Sequence, residues 1–249
     1  MKPGRVFSLF VACVLWQSVA AQQGTVMYQH KMAEDFFVFD ATLTFTPLAT
    51  KYKYKSLEEA GMEVLEEGIK MQPYYSDPEG YFCVRDKQKE VVIARDFCQR
   101  TSYYIQDKVE HAWKLRKNEK RIGGYLCKQA EVKFRGRKYT AWYAPDIPID
   151  AGPWKFFGLP GLILEVYDQD KAVHFQVAKI NLSADIAPII TYFSEEEMVP
   201  FDTFQQCRLT EFHERAKRLQ AKAEMMMANS SVEIEIESPS EPVFTEKIK

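Results

Sequence analysis

The sequence predicts a mainly β protein: a strongly curved antiparallel sheet or open half-barrel, with a long C-terminal helix packed on one face. About ten short segments between residues 24 and 180 are apolar runs or alternate apolar with polar residues, as β-strands do. The short connections between them favour a meander over a parallel α/β sheet. From residue 202, apolar residues recur at steps of three and four, which is typical of one face of a helix.

Residues 1–21 are predicted to be a secretory signal peptide that is cleaved on export. Lys2 and Arg5 form a basic start, residues 6–16 an apolar stretch, and residues 18–21 a small-residue cleavage site. Lipoprotein processing at Cys13 is the alternative, but few apolar residues precede that cysteine. We therefore expect an exported protein, either periplasmic or outside the cell.

The remaining chain is predicted to form a single β-rich domain over residues 24–228. Apolar residues make up 46% of the 249 residues, enough for one core, and no internal repeat or linker divides the chain. No stretch after the leader is long and apolar enough to span a bilayer. Without Lys2 and Arg5 the chain carries 31 basic and 35 acidic residues, which argues against a nucleic-acid partner.

The predicted strands are, in order, residues 25–32, 36–45, 50–55, 80–84, 90–94, 101–105, 112–115, 127–134, 138–143, 162–167 and 173–180. In the third strand, Tyr52 and Tyr54 lie on one face and lysines on the other, as in a half-buried strand. Residues 58–69 fit a short helix or a loop equally well.

Residues 202–227 are predicted to form one helix. Asp202 and Gln205 resemble a capping box, and the apolar stripe consists of Leu209, Phe212, Ala216, Leu219, Ala223 and Met226. At 1.5 Å per residue this helix would be about 36 Å long, enough to cross the sheet. Residues 229–249 are acidic and contain prolines, which favours a disordered tail, although the alternation over residues 232–237 also fits an added edge strand.

The most distinctive stretch is residues 152–168, which predict two turns followed by a buried strand. Residues 159–162 fit a type II turn, with Pro160 at its second position and Gly161 at positive φ. No side chain in residues 158–163 can transfer a proton, bind a metal or act as a nucleophile. We therefore predict a structural role for Gly158, Leu159, Pro160, Gly161, Leu162 and Ile163.

This hexapeptide, preceded by residues 122–130 (IGGYLCKQA) and 141–148 (AWYAPDIP), resembles the GLPGLI family of exported proteins from Bacteroidota, which is named after the motif. The resemblance extends over residues 24–180. It implies an exported β-rich protein. Because the family has no established activity, the resemblance assigns no catalytic residue. The predicted arrangement of strands is also distantly similar to the bowl-like accessory domain of some secreted glycoprotein-deglycosylating enzymes and to the open half-barrels that carry lipoproteins.

Four cysteines follow the leader: Cys83, Cys98, Cys127 and Cys207. An even number in an exported chain permits disulfides, and burial as free thiols is the alternative. Their spacing does not select among the three pairings.

Scattered histidines argue against a metal site or a cofactor. None of the four has a metal-ligand spacing such as H-x-x-x-H. His30 and His174 lie on predicted strands that could be neighbours, so a two-histidine site helped by Glu165 or a cysteine is the one metal hypothesis that remains.

No catalytic residue is assigned, because neither a G-x-S-x-G elbow nor a phosphate-binding glycine loop is present in the sequence. The candidate binding residues are the rings and carboxylates of the turn-rich stretch: Trp142, Tyr143, Asp146, Asp150 and Trp154. Turn capping is the alternative role for the aspartates. The sequence thus predicts a non-enzymatic binding or assembly protein that holds an apolar ligand, a glycan or an envelope protein partner. A metal-dependent or carboxylate-based hydrolase is the alternative.

Overall fold

The computed structural model describes residues 23–32, 37–54, 79–99, 101–191, 193–194 and 198–228. The predicted leader, the undecided segment at residues 58–69 and the predicted tail lie outside these residues. The described elements are β1 (Gly24–Met32), β2 (Phe37–Phe45), β3 (Ala49–Tyr54), β4 (Tyr81–Asp86), β5 (Val91–Cys98), β6 (Thr101–Asp107), β7 (Lys114–Ile122), β8 (Tyr125–Phe134), β9 (Arg137–Ala144), β10 (Leu162–Asp168), β11 (Val173–Asn181), β12 (Met198–Pro200) and α1 (Phe201–Ala228).

The twelve described strands form one sheet in the order β12-β6-β5-β4-β3-β2-β1-β11-β10-β9-β8-β7. Strands β1 to β6 form one antiparallel meander and β7 to β11 a second, and pairing of β1 with β11 joins them. The short strand β12 was not predicted, and it pairs in parallel with β6. The sheet is therefore mixed, which corrects the expectation of purely antiparallel pairing.

The chain connectivity requires this sheet to be strongly curved. Strands β6 and β7 stand ten positions apart in the sheet order, which would be about 48 Å in a flat sheet. Yet residues 108–113 connect Asp107 directly to Lys114, and so short an extended segment spans at most about 25 Å. The two ends of the sheet must bend toward each other. The predicted fold class, a curved and mainly β sheet with a C-terminal helix, is confirmed.

Alternation along the strands gives the sheet two chemically different faces. Residues paired across neighbouring antiparallel strands share a face. One row of such pairs consists of Ala130, Ala141, Val166, Phe175, His30 and Phe39. The row next to it, on the opposite face, consists of Gln129, Trp142, Glu165, Gln176, Gln29 and Asp40. We call the apolar side the inner face and the polar side the outer face.

Residues 145–161, between β9 and β10, lie against the inner face and contact both meanders. The Phe156 ring centroid lies 4.7 Å from that of Tyr139 in β9 and 6.0 Å from that of Phe175 in β11. At the other meander, Arg85 Nη1 of β4 lies 2.9 Å from Asp150 Oδ2. One short segment can contact strands so far apart in the sheet only from inside the curve. We call residues 145–161 the plug.

The turn that ends the plug is tighter than predicted. The Gly161 N–H donates to the Leu159 carbonyl oxygen at 2.8 Å, which closes a three-residue turn around Pro160. The N–H of Leu162 donates instead to the Ile147 carbonyl oxygen at 2.9 Å, so the four-residue bond of a type II turn is not made. The expected positive φ of Gly161 is present, at 153°.

Helix α1 packs at one end of the sheet, against β5, β6 and β12. Phe201 and Phe204 in its first turn are buried, and the first three residues of the predicted stripe are half-buried. The side chains of the remaining stripe residues, Leu219, Ala223 and Met226, lie outside the described set.

One disulfide, between Cys98 of β5 and Cys207, ties this helix to the sheet. Cys83 and Cys127 are buried and do not take part in this disulfide. Burial raises the pKa of Cys127 to about 11, so this thiol is protonated at neutral pH. A disulfide is typical of proteins outside the cytoplasm. Within the described ranges, no helix has the length and apolar character needed to cross a membrane.

Reducing the disulfide is expected to lower the free energy of unfolding by about 2–4 kcal/mol, because the bond links residues 109 positions apart and so restricts the unfolded chain strongly. Urea denaturation with and without dithiothreitol measures this difference. The Cys98→Ser/Cys207→Ser double variant is the control, since dithiothreitol should leave its stability unchanged. Equal stability of the oxidised and reduced wild type would contradict the prediction.

Candidate functional site

The structure distributes the five predicted binding residues over both sides of the sheet. Trp142 lies on the outer face, and the next residue, Tyr143, points inward and is 3% exposed. Trp154 is half-buried within the plug, and Asp146 is exposed at the start of the plug. Asp150 binds Arg85 and accepts the N–H of Gly158, which is the turn-capping role. These side chains do not converge on one place.

The structure does not form the two-histidine metal site. His30 pairs across from Phe175, whereas His174 pairs across from Lys31, so the two imidazoles lie on opposite faces. His174 does meet Glu165, with 2.9 Å between Nε2 and Oε1. The part of the chain that the structure describes contains no group of three or more His, Cys, Asp or Glu side chains that could hold a metal ion.

Glu165 is instead the centre of a cluster on the outer face. Its carboxylate forms an ion pair with Lys120 of β7 and contacts His174 of β11. The Nζ of Lys120 lies 4.5 Å from the Trp142 ring centroid, and Trp142 Nε1 lies 3.4 Å from the Tyr167 hydroxyl. These five side chains come from four strands. We call them the outer cluster.

The outer cluster holds a charged carboxylate near solvent. Partial burial raises the pKa of Glu165, but hydrogen bonds from His174 and Lys120 outweigh burial, so its pKa lies below the ordinary value. Glu165 is therefore ionised at neutral pH. Its side chain is 10% exposed, compared with 36% for Lys120 and 17% for His174, so a ligand would meet the ammonium and the imidazole first.

Around this cluster the outer face carries exposed polar side chains, whereas a ring packs on part of the first meander. Gln29 and Gln176, which continue the row of Glu165, are exposed, and their amides can both donate and accept hydrogen bonds. Over the first meander, by contrast, the ring of Phe193 lies 5.1 Å from Tyr104 and 6.1 Å from Phe82. The exposed glutamines therefore extend the surface of the outer cluster along β11 and β1.

The sequence analysis named Trp142 as a binding residue and His174 with Glu165 in a metal hypothesis. It did not assemble the outer cluster, because the five residues lie on four strands and share no local motif. Strand register brings them together. The available signal was alternation: Trp142, Glu165 and His174 each face away from apolar neighbours on their strands.

A second charged cluster lies at the inner face, and its carboxylate and lysine are buried. The Asp107 carboxylate lies 2.9 Å from Lys155 Nζ and 2.5 Å from Arg135 Nη2. The ring centroid of Phe201, at the start of α1, lies 3.7 Å from the Arg135 guanidinium carbon. Asp107 and Lys155 are 3% and 4% exposed. This cluster joins β6, the β8–β9 turn, the plug and α1, and its burial assigns it a structural role.

His30 is a buried polar residue on the inner face. Its ring centroid lies 4.3 Å from that of Phe175 and 5.1 Å from that of Tyr54. Neither ring nitrogen has a hydrogen-bond partner among the described residues. Because burial disfavours the charged imidazolium, the pKa of His30 falls to about 3. The folded protein therefore holds His30 neutral.

Acidification from pH 8 to pH 5 is expected to cost about 2 kcal/mol of stability through His30 alone. With a pKa near 6.5, the unfolded chain binds a proton in this range, whereas the folded chain, with a pKa of about 3, does not. The contribution of His30 to the free energy of unfolding is therefore present in full above about pH 6.5 and is lost as the pH falls below that value. Urea denaturation at both pH values measures the effect.

The His30→Leu variant should lose this part of the pH dependence and be at least as stable as the wild type at pH 8, because it buries no unsatisfied nitrogen. His213→Leu is the control, since His213 is exposed on α1. An identical pH dependence in wild type and His30→Leu would refute the burial argument.

Comparison with known proteins gives a family match and a fold likeness. A model described as "Protein of unknown function (Porph_ging)" matches residues 135–165, which span the β8–β9 turn, β9, the plug and the start of β10. No curated protein sequence matches the chain. The fold is similar to PNGF-II in its P21 crystal form, with a TM-score of 0.53, and in its C2 form, with 0.51.

Both PNGF-II comparisons have 12% sequence identity and cover 75% of this chain. They cover 33% and 32% of the PNGF-II chains, so this chain spans about a third of their length. At this identity the likeness concerns the fold alone.

Proposed function

We propose that this chain is an exported binding protein of the GLPGLI type that holds a glycan on the outer face of its sheet. The observation that carries the proposal is the outer cluster, together with the exposed glutamines in the same row. Export is supported by the predicted leader and by the Cys98–Cys207 disulfide. The GLPGLI hexapeptide lies within the described plug and the start of β10.

The chemistry of the outer cluster suits a sugar. Sugars present many hydroxyl groups, each of which donates and accepts hydrogen bonds. The carboxylate of Glu165 supplies acceptors, Lys120 supplies donors, and the amides of Gln29 and Gln176 supply both. The half-buried ring of Tyr167, beside which the buried Trp142 packs, adds ring surface next to these groups, which suits the carbon–hydrogen faces of a sugar ring.

An apolar ligand is less well supported, because the plug occupies the inner face. Ile147, Phe156 and Leu159 of the plug are buried, and Phe156 packs directly on inner-face rings. An apolar ligand on that side would have to displace part of the core. A protein partner on the outer face is one outcome of the tests below.

The hydrolase alternative is supported by one contact, the hydrogen bond between Glu165 and His174. A general acid requires a carboxyl group that retains its proton near neutral pH. The pKa of Glu165 is shifted in the other direction, because His174 and Lys120 stabilise its charged form. This shift favours binding over acid catalysis, and hydrolysis of a bound oligosaccharide would favour the alternative.

Binding to immobilised oligosaccharides tests the proposal. Gln176→Ala and His174→Ala should each weaken binding about tenfold, which corresponds to the loss of one hydrogen bond to the ligand. Gln106→Ala is the matched control, because Gln106 is also an exposed outer-face glutamine but lies on β6. Unchanged affinity of the two site variants, or binding to no oligosaccharide, would refute the proposal.

A further inference from the structure

A group of basic side chains lies on the outer face of β7, β8 and β9. Lys133 and Lys138 are directly opposite each other across the β8–β9 pair, and both are exposed. Lys114 lies opposite Glu131 on the same face, and Arg116 Nη2 binds Glu131 Oε2 at 2.6 Å. We call Lys114, Arg116, Lys133 and Lys138 the basic cluster.

The basic cluster has an excess of positive charge at close range. Glu131 is the carboxylate at its centre, and its hydrogen bond to Arg116 is the main reason that the pKa of Glu131 lies below the ordinary value. The charges of Lys138 and Lys114 act in the same direction, which places both near Glu131. Three of the four cations thus act on one carboxylate. Neither Lys133 nor Lys138 has an ion-pair partner among residues that the structure describes.

Directly opposed like charges destabilise a sheet. The Lys133–Lys138 pair therefore carries a cost that an added anion would remove. Composition does not explain the cluster, because the chain as a whole has a formal net charge of −2.

The basic cluster is continuous with the outer cluster. On the outer face, the row of Lys133 and Lys138 is followed by the row of Thr140, Tyr167 and His174, and then by the row of Trp142 and Glu165. Successive rows on one face are about 7 Å apart, because two residues separate them along a strand. One extended ligand can therefore contact both clusters.

We infer that the glycan is anionic, a polysaccharide whose carboxylate or sulfate groups bind the basic cluster while its hydroxyl groups contact the outer cluster. This inference rests on the proposed function and names its ligand class. Charge complementarity selects the anion, and the adjacent rings and glutamines select a sugar chain over an acidic polypeptide, whose side chains carry fewer hydroxyl groups.

The test uses an array of neutral, uronate-containing and sulfated oligosaccharides, with poly-L-glutamate as the acidic polypeptide. The full-length exported protein should bind the anionic oligosaccharides at least tenfold more tightly than neutral ones of equal length. Binding should weaken as salt is raised from 50 to 300 mM, because salt screens exposed charges. The Lys133→Gln/Lys138→Gln variant should lose about tenfold in affinity for the strongest uronate ligand.

The matched control is Lys89→Gln/Lys217→Gln, which removes the same charge from exposed residues of the β4–β5 turn and of α1 that belong to neither cluster. It should bind like the wild type. Binding of neutral and anionic oligosaccharides with equal affinity would overturn the anionic inference and leave the proposed function standing. Binding of poly-L-glutamate as tightly as the best uronate ligand would also overturn it, in favour of an acidic protein partner. Absence of binding to any oligosaccharide would refute both.

Discussion

Replacing Asp107 with alanine is expected to lower the free energy of unfolding by about 3–5 kcal/mol. Asp107 is 3% exposed and contacts two cations, one of which, Lys155, is itself 4% exposed. Removing a carboxylate from such a buried pair leaves positive charge in a site where water cannot compensate. The loss should destabilise β6, the plug and the start of α1 together, because all three contact this cluster.

Two variants separate this effect from a general loss of packing. Asp107→Asn keeps the size and oxygen acceptor of the side chain but removes the charge, so it should also destabilise strongly. Asp96→Ala is the matched control, because Asp96 also meets an arginine, Arg208 at 3.4 Å, but is 30% exposed. An exposed pair contributes about 0–1 kcal/mol. Equal losses for the Asp96 and Asp107 variants in urea denaturation would contradict a buried, structural role.

Replacing Gly161 with alanine is expected to cost about 3–5 kcal/mol, from backbone strain and crowding together. An added Cβ would lie 2.3 Å from the Ala144 carbonyl oxygen and 2.7 Å from its carbonyl carbon. Both are backbone atoms, so no side chain can rotate away. The φ of 153° adds strain for any residue with a Cβ.

Gly124→Ala is the matched control for this prediction. Gly124 has a positive φ of 88°, but an added Cβ there meets nothing within 4 Å. It should therefore show only the backbone strain, about 1–2 kcal/mol. Thermal melts of the two variants measure how much each substitution destabilises the protein. If Gly161→Ala cost no more than Gly124→Ala, close contact between the GLPGLI motif and β9 would not be what requires glycine.

These two predictions concern residues that lie outside the outer face, yet they bear on it. The plug bridges the two meanders through Asp150 and Phe156, and Gly161 joins the plug to β10. Strand β10 carries Glu165 and Tyr167. A distorted plug should therefore shift the outer cluster as well as lower stability.

Local patterns determined much of this fold. In β3, tyrosines and lysines alternate, and Tyr52 is buried as that alternation requires. The apolar run of β10 is buried along most of its length. In β3 the signal is a period of two residues, which the backbone of a strand imposes whatever its neighbours are. In β10 the signal is a continuous apolar run, which is typical of a strand covered on both faces. The helical period after residue 202 acts in the same way for α1.

Strand β7 shows where local pattern fails. Its predicted extent was residues 112–115, but it runs from Lys114 to Ile122. Most of these residues are charged and exposed, because β7 is at the edge of the sheet and neither of its faces is well covered. Without a buried face there is no alternation to read. The three residues of β12 were missed because a strand so short carries no period.

The sites depended on contacts that no local pattern encodes. The sequence established that His30, His174 and Glu165 occupy strands, but the register of β1 against β11 decided that the two histidines face opposite sides. Curvature of the sheet decided that the plug fills the inner face and leaves the outer cluster accessible. The pairing of Cys98 with Cys207 joins residues 109 positions apart. Propensity and alternation act over a few neighbouring residues, whereas strand register and sheet closure are set by packing among residues distant in the chain, so only the tertiary structure decided them.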